Sequence, residues 1–585
     1  DPNYAPLNIL GILTTGGASA VINFATLAPA AGTIPLVKYG SLDSYNFTLG
    51  TLPLGMQATL VNNSAANQID LLVTSVPVRR WQGNVNAAWN TTDANWLDTF
   101  SGSGVPTTFA DGDGPVIFDD TATGPTAVTL AAAVAPVTTQ FSNEVLAYTL
   151  SGSGSIAGAG GLTKSGAGSL TISTANTFTG AVRLAGGTTS VATVANGGVA
   201  SPLGAGAVDS TNLVFAGGTL AYTGGTATTN RGLSLSGADA AGGIQVTQSG
   251  TVMSITGRVT AESGGFRKTG PGHLRFLGTN ASNVIAAVEE GPGFVVEGGT
   301  MTFAGGTTVP TSLINTMTGD FLLGSVPDQG ATLVATNATL TLNGWLSLGH
   351  GTGSATTTTT LTRAAVNAGN LRLGFGEIDN SGTHTLTLSN SAVNVTNETL
   401  IGNIAPSVAT VTIGGTSSYR SGGDFNIGNT FGARGSVTVS GTGSLTTVGR
   451  LRVGDGGEGE LVATDTARLQ VDQVQVGNSF VSTGTLRMQA GSSMNSTGYI
   501  AVGNEGTGTL AMSDDATMSV QYDFNVGDLG GANGTFTLAD RAAVTAGSFY
   551  AAKGDTSIAS VTVAGGSFSQ TNPEGSFVVG RGGSA

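Results

Sequence analysis

The second half of the chain is built from short runs in which apolar and polar residues alternate. Three such runs follow Gly503, and their apolar pairs are Leu510 and Met512, Met518 and Val520, and Phe524 and Val526. Alternation with a period of two predicts β-strands, and the Gly, Asp and Asn residues between the runs predict turns. We therefore predict repeats of three short strands each.

The repeats are marked by an apolar residue followed by Gly. These glycines recur every 23 to 28 residues, at Gly349, Gly374, Gly402, Gly428, Gly454, Gly477, Gly503 and Gly527, with degenerate copies at Gly554 and Gly580. Apolar positions align between neighbouring repeats in three columns, which are Leu461, Leu486 and Leu510, then Leu469, Met494 and Met518, then Val474, Ile500 and Phe524. Constant strand spacing with one turn of variable length predicts an all-β fold, a parallel β-helix (β-solenoid) with three short strands per coil and about 25 residues per coil.

Asn or Asp follows most of the recurring glycines, at Asn403, Asn429, Asp455, Asn478, Asn504, Asp528 and Asp555. One interpretation is a ladder of turn residues whose side chains hydrogen-bond along the stack. The other is Ca²⁺ bound between stacked carboxylates. Because most of these residues are neutral Asn, and because the sequence lacks the Gly-Gly-x-Gly-x-Asp calcium repeat, we favour the ladder.

The first half repeats over a longer distance. GGLTKSGAGSLTISTAN, which starts at Gly160, matches GGFRKTGPGHLRFLGTN, which starts at Gly264, at an offset of 104 residues. The offset places Lys164 on Lys268 and Asn176 on Asn280, and it equals four coils of 26 residues. We therefore expect the same solenoid in this half.

The motifs of the first half resemble a known family. GGLTKSGAGSLTISTANTFTG, followed by VRLAGGTTSV and SPLGAGAV, is similar to the autotransporter-associated β-strand repeat of large bacterial surface proteins. WQGNVNAAWNTTDANW at residues 81–96 and FADGDGPVIFDDTATG at 109–124 look like the segment that precedes this repeat. The resemblance is specific over about 81–310. It implies a right-handed helix, export and a surface role, and it carries no catalytic residues.

The motifs suggest four segments along the chain. Residues 1–80 look like the tail of a preceding β-repeat module, 81–150 are a Trp-rich junction with the first coils, 151–345 are β-strand-repeat coils, and 346–585 form a regular β-helix with coils of 23–28 residues. The sequence starts at Asp1 without Met, and we expect it to be a piece of something longer. We expect its ends either to continue an array or to stack on other subunits.

Composition excludes several classes of function. Only 10% of the 585 residues are charged, the formal net charge is −14, and there is no Cys. The basic residues form no cluster, so we expect no binding to nucleic acid. The lack of Cys excludes disulfides, thiolate metal sites and Cys nucleophiles. No segment offers about 18 consecutive apolar residues, so we expect no membrane insertion by this segment.

Two groups of residues are candidates for a site. Trp81, Trp89 and Trp96 could stack on sugar rings as a glycan-binding ligand site, or they could fill a wide coil, which we favour because large aromatics are more often core residues. The run of Asp111, Asp113, Asp119 and Asp120 could hold Ca²⁺ as the metal, or it could be a solvated turn. Calcium is the one cofactor that the sequence suggests.

The leading hypothesis is an extracellular, structural or adhesive solenoid, a segment of a bacterial cell-surface protein or fibre that assembles end to end into filaments. Its expected partners are other copies, end to end or lateral, other surface components, or glycans. The alternatives are a glycan-binding module that uses the Trp-rich segment and a polysaccharide-cleaving β-helix enzyme. Such an enzyme needs clustered carboxylates, and the scattered charges and isolated His273, His350 and His384 favour a protein that is not an enzyme.

Overall fold

The computed structural model describes residues 7–16, 19–24, 32–52, 56–75, 78–98, 104–236, 242–263, 265–278, 282–285, 293–305, 313–317, 319–351, 353–376, 380–582 and 584–585. The chain divides into two compact units, Asp1–Leu233 and Ser234–Ala585, and the strand Leu233–Ser236 spans the boundary. One short 3₁₀ turn, Ser210–Asn212, is the helical element of the described residues, and none of these residues forms a helix suited in length and hydropathy to cross a membrane.

The first unit begins with a mixed sheet. Its strands, in spatial order, are Leu7–Leu13, Gly32–Leu42, Gln68–Ser75 and Gln57–Asn63. The first pair is parallel and the other two pairs are antiparallel. A separate parallel pair joins Ala20–Ile22 to Phe47–Leu49. The inward side chains of Ile69, Leu71 and Val73 form the centre of the local core.

The rest of the first unit is a solenoid with two ladders of parallel strands. One ladder holds Arg79–Trp81, Val116–Phe118, Thr139–Phe141, Leu162–Lys164, Val182–Leu184 and Leu213–Phe215. The other holds Ala127–Thr129, Tyr148–Ser151, Ser169–Ile172, Thr188–Val191 and Thr219–Tyr222, and is followed by Ala227–Thr229. Two short antiparallel strands, Trp96–Asp98 and Val105–Thr107, extend the first ladder at Arg79–Trp81.

The second unit has three ladders, named A, B and C here. Ladder A holds Gly242–Val246, Phe266–Thr269, Phe294–Val296, Phe321–Leu323, Trp345–His350, Asn370–Phe375, Thr399–Ile401, Phe425–Ile427, Arg450–Val453, Gln473–Val476 and Ile500–Val502, and ends in Phe577–Val579. Ladder B holds Val252–Ile255, His273–Gly278, Gly299–Gly305, Ala331–Thr336, Thr357–Thr362, Thr383–Ser389, Val408–Gly414, Arg434–Val439, Glu458–Ala463, Thr483–Met488 and Thr507–Met512.

Ladder C holds Ser282–Ile285, Leu313–Met317, Ala338–Leu342, Ala365–Ala368, Ala392–Val395, Ser418–Ser421, Ser444–Thr447, Arg468–Val471 and Ser493–Ser496. The strand Val259–Ser263 lies beside Ser282–Ile285 and is hydrogen-bonded to Leu233–Ser236. Near the C-terminus three long strands, Thr517–Val526, Asn533–Ala551 and Ile558–Gln570, each pass through two or three ladders. The predicted parallel β-solenoid with coils about 25 residues apart is confirmed, and the described residues form about 20 coils.

The predicted apolar columns are confirmed as stacked core residues. Leu461 pairs with Leu486 and Leu486 with Leu510. The columns that contain Met494 and Ile500 pair in the same register. All nine side chains are at most 2% exposed. Each coil therefore buries its apolar residues against the coils on either side, as expected of a repeat protein.

The recurring Gly forms the corner between ladder A and the turn that follows it. From Gly349 to Gly527 all eight residues have φ between 64° and 82°, the left-handed region that other residues rarely adopt. A second column, Gly435, Gly459, Gly484, Gly508 and Gly534, lies at the start of the ladder B strands. A side chain on Gly435 would meet the backbone nitrogen of Gly428 at 2.6 Å. The corner therefore excludes side chains at two positions.

The matched motifs of the first half fold alike. Lys164 and Lys268 are fully buried. Each donates its ammonium hydrogens to carbonyls of the glycine turn that follows, including Gly166 at 2.7 Å and Gly270 at 2.6 Å. Burial lowers the pKa of each lysine to about 8. Asn280, the predicted counterpart of Asn176, lies outside the described residues.

Candidate functional site

Trp81, Trp89 and Trp96 lie together in the interior of the first unit. Their exposed fractions are 0%, 1% and 0%. The Trp96 ring is 5.1 Å from Trp81 and 5.3 Å from Trp89, both edge to face, and Phe109 and Phe118 complete the cluster. This placement agrees with the interpretation that they fill a wide coil. Glycan binding by these three residues stays a prediction, and it would require the cluster to open.

A buried amide holds the loop between the tryptophans. Asn95 is 0% exposed, and its Oδ1 accepts hydrogen bonds from the backbone nitrogens of Val85 and Asn86. Its Nδ2 donates to the Asn86 side chain and to the carbonyl of Ala88, each at 2.8 Å. A fully paired buried amide fixes the loop conformation, and the fixed loop holds Trp89 in contact with Trp96.

The four predicted aspartates have four different sets of partners. Asp113 is buried and accepts from Arg79 Nε at 3.0 Å, while Asp119 pairs with Arg80. Asp111 accepts from the Ala135 backbone nitrogen at 2.7 Å. Asp120 accepts from the nitrogens of residues 144–146, and those hydrogen bonds lower its pKa. Among the described residues no group of three or more His, Asp and Glu is placed to hold a metal ion, and calcium here stays a prediction.

Five of the seven Asn and Asp residues after the recurring Gly are joined as the ladder interpretation predicts, by three hydrogen bonds between side chains of neighbouring coils. Asn429 Nδ2 donates to Asn403 Oδ1 at 2.7 Å. Further along, Asn478 donates to Asp455 at 2.6 Å and Asn504 donates to Asn478 at 3.1 Å. Burial raises the pKa of Asp455, although the hydrogen bond from Asn478 acts in the opposite direction and lowers it. Amide hydrogens occupy the space between these rungs, and this favours the ladder over a cation between carboxylates.

The outward side chains of ladder A lie at the bottom of a polar groove. Asn426, Gln475 and Asn525 are 6%, 8% and 1% exposed. They alternate with core residues and therefore point away from the interior, so their burial comes from the turns on either side. Gln475 Nε2 donates to Tyr499 Oη at 2.9 Å, and Asn426 Nδ2 donates to Asn429 Oδ1 at 3.3 Å.

Arg452 is the charged centre of this groove. Its Nη1 is 2.9 Å from Asp424 Oδ2 and 3.0 Å from Asn426 Oδ1. Its Nε donates to Gln475 Oε1 at 3.2 Å and lies 3.7 Å from Asp455. One guanidinium thus links side chains from three successive coils, which fixes the floor of the groove.

Further along the same groove is a depression of about 390 Å³, lined by residues that include Tyr499, Tyr522, Asn525, Asp528 and Lys553. Tyr522 is 59% exposed. Lys553 Nζ is 3.0 Å from Asp528 and 3.9 Å from Asp523. We missed this site in the sequence. The signal was present, since Tyr499 and Tyr522 stand one and two residues before the aligned core residues Ile500 and Phe524.

Between Gly428 and Gly527, apolar side chains project from every second turn that follows the recurring Gly. Phe431 and Phe480 are 73% and 77% exposed, and Leu529 is 43% exposed. They follow Gly428, Gly477 and Gly527, which are two coils apart, and the turns after Gly454 and Gly503 carry no large apolar residue. Strand spacing places Phe431 and Phe480 at the tips of turns on the order of 10 Å apart. The recurring letters GNTF and GNSF were the sequence signal, which we also missed.

Comparison with known proteins gives one partial similarity. The chain is 34% identical over 237 residues to the Adhesin BmaC autotransporter of Brucella suis biovar 1 (strain 1330), a match that covers 36% of this chain and 7% of that protein. No family model matches the chain, and no solved structure matches it. The similarity supports a relationship to autotransporter proteins. The specific autotransporter-associated β-strand repeat stays a prediction.

Proposed function

We propose that this chain is a structural and adhesive β-solenoid segment of a bacterial cell-surface protein. It stacks coils outside the cell and presents their turns for contact. The partial similarity to an autotransporter adhesin supports both the location and the adhesive role. The proposed role is that of a binding and spacing module and not that of an enzyme.

The observation that carries the proposal is the alternation of turns in the second unit. Three ladders in constant register fix the turns in a row, and every second turn between Gly428 and Gly527 exposes an apolar side chain. Exposed apolar residues that recur in a fixed geometry are typical of protein interaction surfaces. Phe431 and Phe480 contribute little to the solenoid core, since most of each side chain faces solvent.

Self-association belongs to the same proposal. In the last described coil the side chains of Val563, Phe577 and Val579 are 61%, 59% and 63% exposed. Val563 and Phe577 continue core columns, because they pair with Leu538 and Phe549 in the preceding strand. We propose that a second copy of the chain can pair with this strand edge in the same register, which would give end-to-end assembly.

Surface display tests the adhesive role. The chain is fused to a carrier on a bacterium that does not adhere, and attachment to cultured cells and to matrix-coated glass is measured under flow. We expect attachment above the carrier alone, and a loss of most of it in the double variant Phe431→Ser, Phe480→Ser. The matched control Tyr45→Ser also removes an exposed aromatic, from the first unit. Folded, displayed protein that attaches no better than the carrier would contradict the proposal.

A further inference from the structure

The depression in the ladder A groove combines aromatic, amide and charged side chains. It draws its walls from successive coils: Tyr499 and Tyr522 come before their ladder A segments and form one wall, and Asp528 and Lys553 come after theirs and form the other. The backbone nitrogen of Gly498 donates to the Asp472 carbonyl, and that of Tyr522 donates to the Gly498 carbonyl, so the first wall has the same spacing as the ladder. The depression therefore follows the stacking direction, in which strands repeat every ~4.8 Å, and it suits an extended ligand.

Asn525 forms the floor and is not fully paired. It is 1% exposed, and its Oδ1 has no hydrogen-bond partner among the described residues. A buried polar atom without a partner costs free energy, and most such atoms in folded proteins are paired. The other floor amide, Gln475, does bond to both Arg452 and Tyr499. A ligand hydroxyl at Asn525 would supply the missing donor.

The two tyrosines differ in how their side chains are held. Tyr499 is held by the hydrogen bond from Gln475, which fixes its ring at the edge of the depression. Tyr522 exposes 59% of its surface. An aromatic face next to amide and hydroxyl groups offers both the apolar and the polar contacts that a sugar ring requires, because sugar rings carry C–H faces and hydroxyl edges.

Charge selects among possible ligands. Asp472, Asp523 and Asp528 line the depression together with one cation, Lys553. Lys553 is already paired with Asp528 at 3.0 Å. The remaining negative charge repels nucleic acid and acidic glycans, and it favours neutral or amino-bearing ligands.

We propose that this depression binds a neutral or amino-bearing oligosaccharide, with Tyr522 and Tyr499 against the sugar rings and Asn525, Asp523 and Lys553 hydrogen-bonded to its hydroxyls. The site is separate from the Trp cluster of the first unit. It deepens the proposed adhesive function by naming a ligand class, and it rests on that function for meeting the ligand outside the cell.

A glycan array with the purified 585-residue chain tests the site. The array carries neutral, amino-bearing and acidic oligosaccharides, and the strongest neutral or amino-bearing ligand is then titrated by calorimetry. We expect Tyr522→Ala and Asp523→Asn each to weaken binding at least tenfold, while Tyr45→Ala, an exposed tyrosine far away in the sequence, leaves it unchanged. Circular dichroism and thermal unfolding show that each variant is folded.

Three outcomes would overturn the glycan site: no binding to neutral or amino-bearing glycans, binding to acidic glycans alone, or equal affinity in folded Tyr522→Ala. If the displayed chain attaches to cells but the purified chain binds no glycan, the adhesive function is supported and this ligand is not. Glycan binding without attachment supports the site and contradicts the adhesive function.

Discussion

Gly503 lies against the backbone of Asn533, which is one coil further along the chain. A β-carbon on Gly503 would be 2.6 Å from the carbonyl oxygen of Asn533 and 2.7 Å from the nitrogen of Gly534. Gly503 also has a φ of 69°. Both the backbone conformation and the space thus require glycine at this corner, so the recurring Gly is a condition for stacking the next coil.

Substitution of this corner glycine should destabilise the second unit. We expect Gly503→Ala to cost about 1–3 kcal/mol, because alanine is strained at this φ and its methyl group pushes the next coil away. Gly250→Ala is the control, since a β-carbon there has nothing within 4 Å. Denaturant unfolding followed by circular dichroism measures both. Equal midpoints for the two variants would contradict the role of the corner.

The amide ladder predicts a pH-dependent effect of Asn478→Asp. Asn478 donates to Asp455, whose pKa is already raised by burial, so a second carboxylate there adds repulsion. We expect lower stability at pH 7 and recovery as the pH falls and one carboxyl gains a proton. Asn495→Asp, at an exposed position, should behave as wild type.

Calcium provides the decisive comparison for the ladder. Added Ca²⁺ should leave wild-type stability unchanged if the rungs are joined by amide hydrogen bonds. A rise in the melting temperature of the wild-type chain on addition of Ca²⁺, reversed by a chelator, would instead support the interpretation with a cation between the rungs.

Acid should destabilise the solenoid through His384. This residue is 1% exposed, hydrogen-bonds to Thr357 Oγ1 at 3.0 Å and to Asn380 Oδ1 at 3.1 Å, and burial lowers its pKa to about 4. The unfolded chain takes up this proton near pH 6.5 and the folded chain only near pH 4. Stability therefore falls as the pH drops from 6.5 to 4, by at most roughly 3 kcal/mol from this group.

His384→Gln should flatten that dependence. Glutamine keeps a donor and an acceptor but does not titrate, so the loss between pH 6.5 and pH 4 should shrink. Thr385→Ser, at the neighbouring outward position, should keep the full dependence of stability on pH. Unfolding curves at several pH values give the slope directly, and an unchanged slope in His384→Gln would contradict the assignment.

The Trp cluster should carry much of the stability of the first unit. We expect Trp96→Ala to cost about 3–5 kcal/mol, because it leaves a cavity among packed rings. Trp345→Ala should cost less, since Trp345 is half-buried and packs under Arg372, whose guanidinium lies 4.5 Å from its ring. Proteolysis and thermal unfolding measure the difference. Retained stability in Trp96→Ala would show that the cluster does not support the coil.

Much of the second unit was predictable because its pattern is periodic. The spacing of eight residues between Leu461 and Leu469, and between Leu486 and Met494, is the distance from ladder B to ladder C, and the paired registers follow from it. The mixed sheet that contains Gly32–Leu42 and Gln68–Ser75 was not predicted as such, since antiparallel pairing leaves no repeat in the sequence.

The candidate site was less predictable, because it depends on how deeply each side chain is buried. Sequence shows that Trp81 and Tyr522 are aromatic, but the first is fully buried and the second is 59% exposed. Their surroundings come from neighbouring coils: Pro125 accepts the indole hydrogen of Trp81 at 2.9 Å, and Gly498 accepts from the Tyr522 backbone nitrogen at 3.3 Å. Such contacts join residues more than 20 positions apart.

The constant register has a consequence for how such a chain changes length. Removal of residues 477–502 would join Val476 to Gly503 and would place Asn533 and its neighbours one coil nearer to the segment before the cut. Val476 and Val502 occupy equivalent ladder positions, so each remaining strand would still find a partner of the kind it now has. Gene duplication or deletion in units of one coil can therefore lengthen or shorten this protein while the interior stays intact. An insertion or deletion of a few residues inside a strand would instead shift the register and disrupt the apolar columns.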